Sequence, residues 1–210
     1  MQRVITLILI CFNSSAFSQE CYIADWQVLK DLYTSTNGDN WTGTMGWTYI
    51  KNATGPTVDC PPVNLKGINL IETDYFEIEG REDVSIMSVH DIDLALNNLT
   101  GYLESSIGDF SVLHQLTLEA NAINGSLPKE IEKLEFLVGL SLGFNNFSGP
   151  VPVEIYKLNV VSLNLSHNQF TGNPLGYLPN PDNLKNVYLS HNLFEGNVIE
   201  FLTRMLFTNR

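Results

Sequence analysis

Three groups of side chains in this sequence have the types and spacing to do chemistry. The run TNGDNWTGTMGW, from Thr36 to Trp47, packs Asn, Asp and Thr between two tryptophans, as a sugar- or calcium-binding loop does. It lacks the oxygen ligands at alternating positions and the closing Glu of a helix–loop–helix calcium site, so it reads as scaffold. Glu72, Asp74, Glu77, Glu79, Glu82, Asp83, Asp91 and Asp93 form a dense acidic stretch. Its plain reading is a solvated loop and strand start; its sharper reading, a weak patch for calcium or a cationic ligand, is the less favoured. His167 and His191 each precede an asparagine, 24 residues apart. On adjacent strands their imidazoles would lie about 5 Å apart, but no third ligand offers itself, so no metal site is assigned. No GxSxG, HExxH or phosphate-binding glycine loop is present, and acidic pairs are too common to mark a glycosidase. The sequence therefore reads as non-catalytic, with no cofactor.

Composition narrows the partners and the compartment. A net charge of −12 and a pI near 4.6 exclude nucleic acid, whose phosphates need basic patches. A hydrophobic share of 44% suits a folded chain of 210 residues. At the start, Arg3, the apolar run Val4–Phe12, and the small Ala16 and Ser18 before Gln19 have the form of a secretory signal. Residues 1–18 are thus expected to be a signal peptide, and no later stretch approaches the roughly 20 apolar residues of a membrane span. The mature chain is expected to be secreted or on the cell surface, with no transmembrane segment. It would keep two cysteines, Cys21 and Cys60, most simply joined in one disulfide. Closing a loop of roughly 40 residues would add about 4 kcal/mol of stability in the chain-entropy model. A metal or thiol role lacks support, since neither cysteine is in a CxxC and no His is near in sequence.

The elements that position these groups are set by an internal repeat. IDLALNNLTGYL, LTLEANAINGSL, LSLGFNNFSGPV, LNLSHNQFTGNP and VYLSHNLFEGNV align on Asn97, Asn121, Asn145, Asn168 and Asn192. Each asparagine has a glycine four residues on: Gly101, Gly125, Gly149, Gly172 and Gly196. In LxxLxLxxN the two leucines one residue apart point the same way from a short strand, into a core shared between neighbouring copies. Asparagine then turns the chain inward, its amide serving backbone groups of the turn, and glycine allows the bend onto the other flank. One unit cannot bury its own apolar edge, but a stack can. A degenerate earlier copy fits Leu65, Ile68, Leu70, Thr73 and Tyr75.

These repeats resemble leucine-rich repeats, specifically the plant-type class, whose consensus continues as LxGxLPxxIxxLxxL. NGSLPKEIEKLEFL and SGPVPVEIYKLNVV carry that continuation nearly whole, whereas Glu104 replaces the proline in the first clear copy and GNPLGYLPNPDNL disturbs the fourth. The resemblance, over about Leu65–Met205, implies an α/β fold: a right-handed solenoid forming a short horseshoe arc, with a parallel sheet on its concave face. It divides the chain into an N-terminal cap over residues 19–64 and about six repeats over residues 65–210, the first degenerate. Ile23, Trp26, Leu29, Leu32 and Tyr33 give one apolar face of a short helix that Gly38 ends. Helix, turn, tryptophans and flanking cysteines resemble the cap of exported leucine-rich-repeat proteins, such as bacterial secreted and surface ones. The cap is needed because the first strand would otherwise expose an apolar end and an unpaired edge. At the other end Phe201–Arg210 is expected either to fold over the last repeat or to lead into further sequence.

The resemblance implies a recognition module for a protein, peptide or glycan. The alternatives are a structural or adhesive surface element and, less favoured, a carbohydrate-active enzyme using the acidic stretch. Residues between and beside the inward leucines should form three columns on the concave face. The first is Asp91, Gln115, Gly139, Ser162 and Asn186; the second Asp93, Thr117, Ser141, Asn164 and Tyr188; the third Ala95, Glu119, Gly143, Ser166 and Ser190. Beside them lie Phe144, His167 and His191. The small residues in the middle should let a ligand approach the backbone, with Tyr188 and Phe144 as apolar anchors.

Overall fold

The computed structural model describes residues 20–43, 46–52, 55, 57–59, 66–76, 84–173 and 184–196. The chain opens with strand β1 (Glu20–Ile23), helix α1 (Trp26–Ser35), helix α2 (Trp47–Asn52) and strand β2 (Thr57–Asp59), followed by β3 (Ile68–Phe76) and β4 (Val84–Asp93). The repeats then alternate short strands of two sheets. The concave sheet takes β6 (Gln115–Thr117), β8 (Gly139–Ser141), β10 (Ser162–Asn164) and β12 (Asn186–Tyr188). The flanking sheet takes β5 (Thr100–Gly101), β7 (Ala122–Gly125), β9 (Asn146–Pro150), β11 (Gln169–Gly172) and β13 (Leu193–Phe194). In strand order the sheets run β12-β10-β8-β6-β4-β1-β2 and β13-β11-β9-β7-β5. All pairings between repeats are parallel; those of the concave sheet join equivalent residues, as Leu116↔Leu140 and Leu140↔Leu163 show, whereas those of the flanking sheet are offset by two residues, as Gly101↔Ile123 and Gly125↔Phe147 show.

The inward leucines do what their spacing dictates. Ile92, Leu116, Leu140 and Leu163 form one buried column, and Leu94, Leu118, Leu142 and Leu165 the next. Leu99, Ile123, Phe147 and Phe170 line the flanking side, where Phe147 and Phe170 stack at 5.8 Å and Phe170 and Phe194 at 6.2 Å. Single 3-10 turns at Ser105–Asp109, Lys129–Lys133 and Val153–Lys157 close the convex side, each contributing a buried isoleucine: Ile107, Ile131 and Ile155.

From Asn121 on, each repeat asparagine is a bracket between two consecutive turns of the solenoid. Asn145 Nδ2 donates to the carbonyls of Leu118, Leu142 and Gly143, and its Oδ1 accepts from Ile123 N. Asn121, Asn168 and Asn192 repeat the pattern, accepting from Leu99 N, Phe147 N and Phe170 N. The amide thus satisfies turn carbonyls, two of which (Leu118 and Leu142) have only asparagine amides as donors among the described residues, which is why the position takes Asn rather than Asp.

The cap is built from the run that opens as TNGDNW. Trp41 and Trp47 are buried edge-to-face at 4.7 Å and both contact Tyr33. Their indole N–H groups donate to the carbonyls of Thr36 and Lys66. The polar side chains tie the cap to the first repeat: Asn37 Nδ2 to Thr100 Oγ1, Thr42 Oγ1 to Asn97 Oδ1, and Asn98 Nδ2 to the Asn40 carbonyl. The backbone of Ser35 and Thr36 accepts from Tyr102 N and Thr100 N, so the cap extends the flanking sheet past β5. A side chain at Gly101 (φ +83°) would collide with the Ser35 carbonyl, so only glycine lets the cap seat. Asp25 stands at the N-cap of α1 but gives its carboxylate elsewhere: Oδ2 accepts from Val89 N and Oδ1 from Ser111 N.

Two expectations meet a different arrangement. The copy read at Leu65–Tyr75 is not a parallel rung: β3 pairs antiparallel with β4, Ile68 opposite Ile92 and Phe76 opposite Val84. It lacks the asparagine and glycine that turn a repeat, and as a hairpin arm it covers the edge of β4 instead. Ile23, read as part of the first helix, lies in β1, which pairs parallel with β4 and antiparallel with β2. The signal segment, Cys60, Glu77 to Asp83 and Phe201–Arg210 lie outside the described residues. So does the Cys21–Cys60 link, although β2, ending one residue before Cys60, pairs with the strand that carries Cys21.

Candidate functional site

The three sequence columns come together as rows of the concave sheet. Asp91↔Gln115↔Gly139↔Ser162↔Asn186 are register partners, as are Asp93↔Thr117↔Ser141↔Asn164↔Tyr188. Parallel pairing puts these side chains on one face, opposite the leucines. The first strand is acidic, the middle carries amides and hydroxyls, and the far end carries Tyr188, 55% exposed.

The floor is a hydrogen-bonded network rather than bare backbone. Glu119 Oε2 accepts from Ser141 Oγ at 2.7 Å and from Asn164 Nδ2 at 3.3 Å. Asn164 Oδ1 accepts from the backbone and side chain of Ser166. The middle of the face was expected to leave main chain open to a ligand. Instead the Gln115 side chain lies across Gly139 and that of Asn164 across Gly143, each filling the space a Cβ would take. The glycines serve these neighbouring side chains, which present amide groups where backbone was anticipated.

Asp91 sits at the N-terminal edge of this floor, its carboxylate accepting from Asn69 Nδ2 at 2.9 Å, with His90 Nδ1 3.0 Å away. Burial pushes this carboxyl up, but the Asn69 amide, the adjacent His90 ring and the charges of His90 and His114 outweigh it. The result is a carboxyl held below its usual range. Asp93 is exposed and accepts from Ala95 N.

Both rims are aromatic. Where the concave strands end, the residue before each repeat asparagine has a left-handed backbone: Leu96 (φ 53°), Ala120 (55°), Phe144 (55°), His167 (53°) and His191 (57°). Left-handed backbone costs a residue with a Cβ about 1–2 kcal/mol, and bulky side chains seldom adopt it. These side chains form a column. Phe144 stacks on His167 with centroids 4.0 Å apart at 12°, and His167 on His191 at 4.0 Å and 18°. Stacking turns the imidazole lone pairs parallel instead of convergent, which is the wrong geometry for two ligands of one metal. Leu96 is 77% and Phe144 49% exposed.

The opposite rim, where the strands begin, was missed in the sequence. His90 stacks on His114 at 4.2 Å, and His114 on the exposed Phe136 at 5.9 Å. The signal was there: His90 and His114 are 24 residues apart, the period of the repeat. All the remaining sequence-expected positions (Thr117, Glu119, Ser141, Ser162, Asn164, Asn186, Tyr188) lie on the concave strands or at their ends. Among the described residues no helix is long and apolar enough to cross a membrane, and no three His, Cys, Asp or Glu side chains cluster as metal ligands.

Comparison with known proteins agrees with this architecture. Residues 159–181 match the Leucine Rich Repeat family model. No curated protein matches the chain in sequence. Among solved structures, the leucine-rich-repeat ectodomain of the receptor kinase SOBIR1 from Arabidopsis thaliana is similar, with a TM-score of 0.61 at 26% identity, over 86% of this chain and 89% of that one. The BIR3–SERK2 complex from Arabidopsis thaliana gives 0.60 at 25%, over 86% of this chain and 88% of the other. A chain of the PEPR1–AtPEP1 structure gives 0.66 at 22% identity, over 87% of this chain and 23% of that one, a likeness of fold alone. With five asparagine-bracketed rungs, a register-matched concave sheet and these likenesses, the chain has the solenoid fold of plant-type leucine-rich-repeat ectodomains and carries a Leucine Rich Repeat match over residues 159–181.

Proposed function

We propose that this chain is a non-catalytic recognition module that binds a protein or peptide partner across its concave face. The observation that carries the reading is the exposed column at the strand ends. Leu96 and Phe144 hold large apolar side chains in water, on a backbone they adopt at a cost, beside a polar floor and the exposed Tyr188. Strain and exposure at one place are what a binding surface retains and a merely solvated face does not need. The aromatic side chains are the anchors, and Asp91, Asp93, Gln115, Thr117, Glu119, Ser141, Ser162, Asn164, His167, Asn186 and His191 are the polar contacts around them.

The likeness to a receptor-kinase ectodomain and to the BIR3–SERK2 complex supports a binding role. Asp91, held below the usual carboxylate range, is unsuited to the general-acid role of a glycosidase. The reading includes export, with residues 1–18 as a signal peptide, an N-terminal cap from residue 19 tied by a Cys21–Cys60 disulfide, and the repeats from β4 on as the recognition surface.

The test is capture from the native host's secreted and surface material by the wild-type chain, by Tyr188→Ala and Phe144→Ala, and by Lys133→Ala on the convex side. A protein or peptide partner retained by wild type and Lys133→Ala but lost by the two concave variants is the expected result. Capture of a polysaccharide would move the reading to a glycan ligand. Loss through Lys133→Ala alone would refute the assignment of the face. Hydrolysis of a polysaccharide that Asp91→Asn abolishes would make the chain an enzyme.

A further inference from the structure

The strand-end column has a gap. Phe144, His167 and His191 stack ring on ring, and Phe144's second face looks toward Ala120, whose methyl fills almost none of the space a ring would. One rung further on stands Leu96, 77% exposed. Backbone hydrogen bonds fix this order: Leu96 N donates to the Glu119 carbonyl, Ala120 N to that of Gly143, and Phe144 N to that of Ser166. Rungs are about 4.8 Å apart, so Leu96 and Phe144 bracket an opening about 10 Å from centre to centre. That admits one planar group lying on Phe144 with an aliphatic stem against Leu96.

The charge around the gap selects the group. Glu119 precedes Ala120; its Oε2 is held by Ser141 and Asn164, and Oε1 has no hydrogen-bond partner among the described residues. Asp93 lies exposed one rung before, and Asp91 beside it. No lysine or arginine occupies the concave columns, and two convex lysines are already paired, Lys133 with Asp109 and Lys157 with Glu132. The whole chain carries −12. A planar cation with an apolar stem is an arginine side chain. Its guanidinium stacks on an aromatic face and pairs with a carboxylate, as an ammonium cannot do in the same plane.

Resting on the proposed recognition role, we infer that the Leu96–Ala120–Phe144 gap is a slot for an arginine side chain of a basic peptide or protein partner, with Glu119 as counter-ion. The guanidinium takes the place in the stack that a ring at residue 120 would occupy, and Asp93 and Asp91 draw further basic residues along the sheet.

The experiment is a titration of the labelled protein with acetyl-Gly-Arg-Gly-amide, read at the Ala120 and Leu96 methyls and the Phe144 ring by nuclear magnetic resonance. The citrulline and lysine tripeptides serve as probes of charge and planarity. Saturable shifts at these three residues are expected, weaker by about tenfold with citrulline, which keeps the shape and loses the charge. Phe144→Ala should weaken binding about two- to fivefold, the worth of one exposed cation–π contact. Ala120→Phe fills the slot from within and should remove the response; Phe is tolerated in that conformation at residue 144, and an unchanged melting temperature verifies the fold. Should Ala120→Phe unfold, Glu119→Gln carries the test through a loss of salt dependence. Equal binding of arginine and citrulline, equal or tighter binding of lysine, or shifts confined to another surface would overturn the slot. A captured partner that needs Tyr188 but ignores Ala120→Phe would sink the slot and leave the recognition role standing. No partner on any face would sink the role itself.

Discussion

Asn145 offers the sharpest test of how the repeat holds itself. Replacing it with alanine removes four hydrogen bonds, three donated to the carbonyls of Leu118, Leu142 and Gly143 and one accepted from Ile123 N. At about 1 kcal/mol net for each, the upper figure is about 4 kcal/mol. The three carbonyls keep other donors: Asn121 Nδ2 for Leu118, Asn168 Nδ2 for Leu142, and Ala120 N for Gly143. Ile123 N alone is orphaned in the core, at about 1–3 kcal/mol. The expected loss is therefore about 2–4 kcal/mol, and about 1 kcal/mol for Asn192→Ala, where water reaches the half-buried site. Asn145→Asp is the informative variant, because its carboxylate still accepts from Ile123 N but faces three carbonyl oxygens without a hydrogen to offer. It should be less stable than Asn145→Ala at neutral pH. Burial and those oxygens raise its folded-state pKa, so stability should return as pH falls and the acid regains a donor. Urea unfolding followed by circular dichroism at pH 7 and pH 5 measures all of this. An Asp variant as stable as wild type at pH 7 would refute the donor role of the asparagine.

Other consequences are equally concrete. Asp25→Ala strips the acceptor from Val89 N and Ser111 N and should cost about 2–4 kcal/mol, exposing the cap to limited proteolysis before the repeats; an unchanged digestion rate would contradict this. Burial, then the hydrogen bond to Asp39 and its charge, pushes the Tyr33 phenol up to about 12. Its protonated form therefore contributes stability in full below pH 10, lost as pH rises toward 12; ultraviolet titration of wild type against Tyr33→Phe should show that late step. The depressed Asp91 carboxyl contributes stability above its unfolded value near 4, lost as pH falls through the lower folded value, and Asp91→Asn should flatten that acid limb of the melting curve. Mass mapping of the mature protein under non-reducing conditions should find Cys21 joined to Cys60; two free thiols would remove the disulfide.

Much of this molecule was legible because its repeat is written in residues with one physical use each. Leu116, Leu140 and Leu163 mark an inward strand face, Asn121, Asn145 and Asn168 mark its turn, and the columns between them follow from alternation alone. What escaped depended on contacts outside the repeat. The antiparallel turn-back of β3 is decided by its pairing with β4, since Ile68 and Leu70 alternate alike in either direction. The left-handed backbone at Leu96 and Phe144 is imposed by the asparagine that follows each, against the preference of the residue itself. Gln115 folding over Gly139 needs the register of two strands before it can be seen, and the His90–His114 stack is a periodic feature hidden by reading only the repeat's core positions. The acidic stretch split: Asp91 joined the concave floor, whereas Glu77 to Asp83 lie outside the described residues.

The central claim is that a partner is held on the concave face by its aromatic rim. Oxidative footprinting of the chain alone and with its captured partner reads that directly, since Phe144, His191 and Tyr188 on the concave side and Tyr102 on the flank are all exposed and oxidisable. The account predicts protection of Phe144, His191 and Tyr188 with Tyr102 unchanged. Protection of Tyr102 with the three concave residues still oxidised at their free rate would contradict it.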